Sequence, residues 1–157
     1  MSLTHLDEQG KSRMVDVGDK AVTRRVAQAG ARVLFPPQTY ARIQAANGQT
    51  AKGAITEVAR IAGIMAAKNT AALIPMCHPM MLERCKLEFE YDDASCSLNI
   101  TAEAAVTHKT GVEMEALTAV SVAALTVYDM TKALSHDIEI QDVRLLHKSG
   151  GKHDFSR

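Results

Sequence analysis

The stretches RCKLEFEYDD (84–93) and SCSLNITAEAAV (95–106) decide the fold class of this 157-residue chain. Apolar and polar side chains alternate in both, as they do in strands that bury one face. The stretches meet at a mostly polar segment around 92–95, which is typical of a tight turn. The sequence therefore predicts an antiparallel β-hairpin in the second half of the chain.

Further elements on both sides of this hairpin complete an α+β pattern. Strands are predicted over 22–34 and within the closing segment 137–152, and helices over 36–46, 53–68 and 111–134. The order β, α, α, β, β, α, β is that of a ferredoxin-like α/β plait with one extra helix, in which helices pack on one face of an antiparallel sheet. We expect apolar positions on the open sheet face to favour oligomers.

The composition excludes several function classes. The 18 basic and 18 acidic side chains cancel, so net charge gives no argument for nucleic acid or an anionic membrane. Apolar segments are interrupted before the roughly 18 residues that span a bilayer, and the N-terminus lacks a secretory signal. Three cysteines cannot all pair, which favours a reduced, cytoplasmic compartment. We expect one domain over 14–157, preceded by a flexible arm over 1–13.

An acid and a base follow the long apolar run 112–127. Asp129 and Lys132 are three residues apart, so they share one face of the predicted helix. They form either a surface ion pair worth about 0.3 to 0.5 kcal/mol or a pair that converges on a third group.

Prolines fix the backbone on both sides of a cysteine and a histidine in PMCHP (75–79). His78 is either a substrate donor on a rigid loop or a histidine satisfied by nearby backbone. A zinc site with Cys77 has little support, because no further ligand lies at zinc-site spacing.

Basic residues stand beside glycines at three places. Thr110 and Glu113 match a capping box at the start of the long helix, although Lys109 there also suits an anion at the helix N-terminus. Lys52 and Lys148 repeat the pattern, but neither matches the GxxxxGK[ST] phosphate loop. Taken together they indicate an anion or nucleotide site.

Five motifs resemble the molybdenum-cofactor biosynthesis protein C (MoaC) family, the cyclic pyranopterin monophosphate synthases. They are MVDV (14–17), KG (52–53), IPMCHPM (74–80), KTGVEMEALTAVSVAALTVYDMTKA (109–133) and VRLLHKSGGK (143–152). The resemblance implies a lyase of molybdenum cofactor biosynthesis. It would act after a radical enzyme that makes a cyclised dihydro-GTP, and would convert that compound to cyclic pyranopterin monophosphate with release of pyrophosphate. It also implies a homohexamer, a trimer of dimers with active sites at subunit interfaces. No redox cofactor is expected, while a divalent cation on the substrate phosphates is compatible with the reaction.

The resemblance also assigns site residues. It implies that the catalytic residues are Asp129, Lys132 and Lys52, and that the substrate-binding residues are Met76, Cys77, His78, Glu113, Met114, Glu115, Arg25 and Lys148. Our hypothesis is that the two lysines exchange protons with the substrate while Asp129 positions Lys132. A lysine pKa lowered by burial or by a cationic neighbour would suit this role, and which lysine is the acid stays open. Arg25 and Lys148 would hold the triphosphate.

Two positions depart from the family pattern, and two other functions remain alternatives. His108 stands where many members have glycine, and Thr131 replaces a cysteine. The first alternative is a non-catalytic nucleotide-binding regulatory module of ferredoxin-like fold, which would not need Lys52, Asp129 and Lys132 together. The second is a metal-binding scaffold that uses Cys77 and His78.

Overall fold

The computed structural model describes residues 5–157 and contains the expected α+β plait. Its elements are β1 (Thr23–Leu34), α1 (Pro37–Ala45), β2 (Gln49–Thr50), β3 (Gly53–Ala54), α2 (Ile55–Lys68), α3 (Thr70–Leu73), β4 (Arg84–Asp92), β5 (Ser97–His108), α4 (Glu113–Thr131), β6 (Glu139–Ser149) and β7 (Phe155–Ser156). The main sheet is antiparallel with the order β4-β5-β1-β6-β7. The four long strands follow the ferredoxin-like order, so the predicted fold class is confirmed.

The short elements were not predicted from the sequence. Strands β2, β3 and β7 are two residues long and α3 is four residues long, too short to show a period. Helix α2 begins at Ile55 and not at Gly53, because Gly53 has φ +111° and pairs with Thr50 in the small β2–β3 sheet. The turn between β2 and β3 carries Lys52.

The predicted hairpin is present as β4 and β5. Arg84 pairs with Ala105 at one end and Asp92 pairs with Ser97 at the other. The Asp92 carboxylate closes the turn, since it accepts hydrogen bonds from the Ala94 backbone N–H at 3.1 Å and the Ser95 hydroxyl at 2.5 Å. Polar turn residues therefore fix the register of the hairpin.

The core lies between the sheet and the helices α2 and α4. Small buried side chains on β1, among them Ala27, Ala29 and Ala31, let α4 approach the sheet closely. Gly63 of α2 has no side chain and therefore lets α2 and α4 approach each other closely. A Cβ atom built there would lie 2.9 Å from the Ala119 carbonyl oxygen and even closer to the side chain of Leu87. These contacts hold α4 in a fixed position on the sheet.

The middle of the opposite sheet face is polar. Gln28 donates a hydrogen bond to Glu103 at 2.7 Å, and Arg84 forms an ion pair with Glu103 at 2.9 Å. Polar pairs therefore occupy the middle of the sheet face on which exposed apolar side chains were expected. The exposed apolar side chains include Ile61 and Met65 on α2 and Leu125 on α4. Within residues 5–157, no helix is both long enough and apolar enough to cross a membrane.

Candidate active site

Lys52, Asp129 and Lys132 form one ion-paired group, which we call the lysine cluster. Asp129 Oδ1 lies 2.7 Å from Lys132 Nζ, and Asp129 Oδ2 lies 2.5 Å from Lys52 Nζ. Lys52 also donates a hydrogen bond to the main-chain oxygen of Asp129 at 3.2 Å. The first contact is the pair foreseen from helical spacing. The second joins residues 77 positions apart and makes Asp129 a bridge between two ammonium groups.

The charges in the lysine cluster stabilise one another. Hydrogen bonds from Lys132 and Lys52 lower the pKa of Asp129 to about 2. The hydrogen bond and charge of Asp129 raise the pKa of Lys132 above its usual value. The expected lowering of a lysine pKa is therefore wrong for Lys132 in the single chain, because its side chain is half exposed and its neighbour is an anion. Lys132 is consequently protonated at neutral pH.

A cavity of about 280 Å³ lies at the other end of α4, and we call it the Cys77–His78 cavity. Its walls are the proline-flanked loop, the first turn of α4 and the N-terminal segment. The predicted substrate-binding residues that line it are Met76, Cys77, His78, Glu113, Met114 and Glu115. The structure therefore brings six of the eight predicted binding residues into one place. Thioether, thiol, imidazole and carboxyl groups together suit a flat polar ring.

Glu115 places a buried carboxyl group in this cavity. The residue is 3% exposed. Burial raises the pKa of Glu115 to about 7, and repulsion from Glu113 adds to the shift. Burial, followed by the charge of Glu115, also raises the pKa of the Cys77 thiol. Near neutral pH the Glu115 carboxyl group is therefore able both to give and to accept a proton.

A larger cavity of about 860 Å³ adjoins the first, and we call it the basic cavity. Its cationic residues are Lys20, Arg25, Lys109, Lys148 and Lys152, and it shares Lys20, Thr110, Gly111 and Glu113 with the Cys77–His78 cavity. The main-chain oxygens of His108 and Lys109 orient Arg25, each at 3.2 Å from a guanidinium nitrogen. A single ligand with a ring and an anionic chain would fit across both cavities.

Glu113 stands between the two cavities and does not form the predicted capping box. Lys148 Nζ donates a hydrogen bond to Glu113 Oε1 at 2.9 Å. Val112 occupies the N-cap position of α4, and no side chain caps the helix there. The capping prediction is wrong because the carboxylate is paired with a lysine of β6, a residue distant in sequence.

The structure separates the predicted site residues into two groups. Glu113 and Asp129 are 16 residues apart on α4, which corresponds to about 24 Å along the helix axis. The lysine cluster and the Cys77–His78 cavity therefore lie at opposite ends of this helix. Within the described part of the chain, no three histidine, cysteine or acidic residues are grouped to hold a metal ion. The zinc alternative with Cys77 and His78 thus gains no third ligand there.

Comparison with known families matches residues 14–151 to the MoaC family. The chain belongs to the MoaC family. A curated relative from Syntrophomonas wolfei subsp. wolfei is 55% identical over 152 residues, which cover 97% of this chain and 96% of the relative. A second, from Heliobacterium modesticaldum, is 53% identical over 96% of this chain and 93% of the relative. Both relatives are named cyclic pyranopterin monophosphate synthase.

The two departures from the MoaC pattern lie in different surroundings. Thr131 is fully buried, and its hydroxyl donates a hydrogen bond to the main-chain oxygen of Val127 at 2.7 Å. It is therefore part of the packed interior, whereas the side chains of Lys52 and Lys132 are half exposed. His108 ends β5 beside the basic cavity, where its main-chain oxygen binds Arg25. The substitution at 108 is thus the one that lies close to a predicted binding residue.

Sequence reasoning about MoaC motifs missed several residues that line the cavities. Lys20 and Lys152 add two cations to the basic cavity, beside Lys109, whose position the sequence had already indicated as suited to an anion. His5 and Val17 line the Cys77–His78 cavity. Each of these lysines lies within two residues of a glycine in the sequence, which is the signal noted for Lys52 and Lys148, but only the folded chain gathers them around one space.

Proposed function

We propose that the chain is a cyclic pyranopterin monophosphate synthase of molybdenum cofactor biosynthesis. Its substrate would be (8S)-3',8-cyclo-7,8-dihydroguanosine 5'-triphosphate, and its products cyclic pyranopterin monophosphate and pyrophosphate. Membership of the MoaC family and the names of the relatives support this function. The observation that carries it is the lysine cluster, in which one carboxylate holds two lysines from distant parts of the sequence.

The lysine cluster supplies proton transfers in this proposal. Asp129 orients both ammonium groups, and Lys132 enters the reaction protonated because Asp129 raises its pKa, so that it begins as the acid. Rearrangement of a purine into a pterin moves protons between nitrogen and oxygen atoms, which positioned donors and acceptors accelerate. In the phosphoryl transfer, a substrate hydroxyl loses its proton to a base and its oxygen bonds to the α-phosphorus. The bond from that phosphorus to the bridging oxygen breaks, and pyrophosphate leaves.

The two adjoining cavities divide the substrate between them. The ring system would occupy the Cys77–His78 cavity, where Glu115 exchanges a proton near neutral pH. The triphosphate would occupy the basic cavity, where Arg25 and Lys148 bind its oxygens and stabilise the departing pyrophosphate. A divalent cation bound to the same phosphates is compatible with this arrangement, and the proposed chemistry requires no redox cofactor.

The complete site requires two copies of the chain in this proposal. The lysine cluster lies about 24 Å from the Cys77–His78 cavity along α4, so one small molecule does not reach both within one chain. A lysine cluster from a second copy would complete the site. This argument supports a dimer, which is the repeating unit of the homohexamer implied by the family resemblance. The upstream radical enzyme would hand over the substrate in the cytoplasm.

The test is turnover of the cyclised dihydro-GTP by the purified protein. Release of pyrophosphate and appearance of pterin fluorescence are followed for the wild type, Lys132→Ala and the matched control Lys86→Ala, whose lysine pairs with Glu88 on the surface. We expect product from the wild type and Lys86→Ala. We expect a loss of at least about 100-fold in kcat for Lys132→Ala without a change in melting temperature. A wild type that binds the compound and releases nothing would instead favour the regulatory module.

A further inference from the structure

Residues 5–13 form a closed loop, which we call the N-terminal strap. Leu6 and Ser12 pair as an antiparallel bridge, and the Arg13 N–H donates a hydrogen bond to the main-chain oxygen of His5 at 2.8 Å. The Asp7 carboxylate fills the loop, since it accepts hydrogen bonds from the backbone N–H groups two and four residues later at 2.9 and 2.8 Å. Hydrogen bonds within the strap therefore organise its backbone.

The strap leads into one wall of the Cys77–His78 cavity. His5 lines this cavity together with Val15, Val17 and Lys20 from the segment that follows. Lys109, in the loop before α4, donates a hydrogen bond to the main-chain oxygen of Gly18. This contact fixes the N-terminal segment to the loop before α4, and the first turn of α4 forms another wall of the cavity. The N-terminal residues thus stay beside the cavity.

Core packing does not account for the strap. Within the described chain, every residue of the main buried cluster, and every partly buried hydrophobic residue packed against it, lies at Ala27 or beyond. The match to the family model begins only at residue 14. The strap contributes little to the stability of the sheet and helices, so the structural role left to it is the cavity wall.

We propose that the N-terminal strap is part of the substrate site and that His5 is a substrate-binding residue. This inference rests on the proposed function. The His5 imidazole provides a hydrogen-bond donor, an acceptor and a flat face, which together suit the polar edge of a fused heterocycle. It stands in the same cavity as His78 and Glu115, so the ring is contacted from the strap as well as from the two walls foreseen in the sequence.

Substrate affinity tests the role of His5 without relying on turnover. The dissociation constant for the cyclised dihydro-GTP is measured by calorimetry in the Lys132→Ala background, with and without His5→Ala. Loss of one hydrogen bond predicts a dissociation constant about tenfold higher. His5→Asn, which keeps a donor, should recover part of the affinity. Gln9→Ala is the matched control, because Gln9 is exposed on the same strap and lines neither of the two cavities.

Limited trypsin digestion tests the strap itself. Lys11 and Arg13 are exposed cleavage sites within it. We expect bound substrate to slow cleavage at both sites in the otherwise unmodified Lys132→Ala protein, and to slow it less in the double variant with His5→Ala.

The outcomes separate this inference from the proposed function. The role of the strap is overturned if His5→Ala leaves the affinity for the substrate unchanged and the substrate does not slow trypsin cleavage. This holds even when the wild type makes product. Weaker binding by His5→Ala at an unchanged melting temperature supports it, even when the wild type makes none. Absence of any binding to the parent protein overturns both.

Discussion

Replacement of Glu115 by glutamine should change how stability depends on pH. The carboxyl group is 3% exposed, and its burial raises the pKa from 4.5 to about 7. Glutamine has nearly the same shape but carries no proton that titrates. The variant therefore removes the titration while it keeps the packing of the first turn of α4.

The sign and size of the effect follow from proton linkage. Between pH 4.5 and about 7 the folded chain holds a proton on Glu115 that the unfolded chain has released. The stabilisation is fully present below pH 4.5 and is lost as the pH rises through 7. Since one pKa unit corresponds to 1.36 kcal/mol, this group lowers the free energy of unfolding by about 3 kcal/mol across that range. The Glu115→Gln variant should lack this decline.

Urea denaturation at a fixed protein concentration measures the effect, since association of copies would make stability depend on concentration. Free energies of unfolding are compared for the wild type and Glu115→Gln from pH 5 to pH 8.5. Glu57→Gln serves as the control because its side chain is 63% exposed. The difference between wild type and Glu115→Gln should shift with pH in favour of the variant from pH 5 to about 7 and should level off above pH 7. A difference that stays constant while the control behaves normally would refute the argument that Glu115 is protonated by burial.

Two further predictions concern assembly and packing. Lys132→Ala and His78→Ala, each inactive alone, should recover about a quarter of wild-type activity in the pyrophosphate assay when they are mixed and reassembled. Half of randomly formed dimers contain one copy of each variant, and each mixed dimer has one intact site out of two. No recovery would place the whole site in one chain. Gly63→Ala should lower the free energy of unfolding, measured by urea denaturation, by about 1 to 3 kcal/mol, because its Cβ atom would lie 2.9 Å from the Ala119 carbonyl oxygen and clash with Leu87. An unchanged free energy of unfolding would mean that α2 and α4 separate easily.

The sequence was sufficient for the fold because the long elements carry clear local signals. Alternation over 84–93 and 95–106 gave the hairpin, and β1, observed over Thr23–Leu34, was placed within one residue. Two adjacent prolines marked the start of α1. In the strands the apolar side chains that set the pattern are also the ones that face the core, so local preference and tertiary packing agree there.

The candidate site was less accessible from sequence because its contacts are between distant residues. The spacing of Asp129 and Lys132 predicted their ion pair, but nothing near Lys52 showed that it would reach the same carboxylate. Glu113 fitted a capping box by spacing, yet its partner is Lys148 of β6. A charged side chain at a helix end has several possible partners, and the packing of the whole domain decides between them.

Helix α4 explains why one continuous motif contributes two separate groups of site residues. Residues 109–133 read as a single block, and its two ends were assigned to one site. As a rigid helix over Glu113–Thr131 it holds those ends about 24 Å apart and also fixes their relative rotation. One inserted residue would turn Asp129 by about 100° around the axis relative to Glu113. Asp129 would then point away from Lys52, although both ends of the motif would still be present. The length of α4 between these residues is therefore as much a requirement of the proposed two-chain site as the residues themselves.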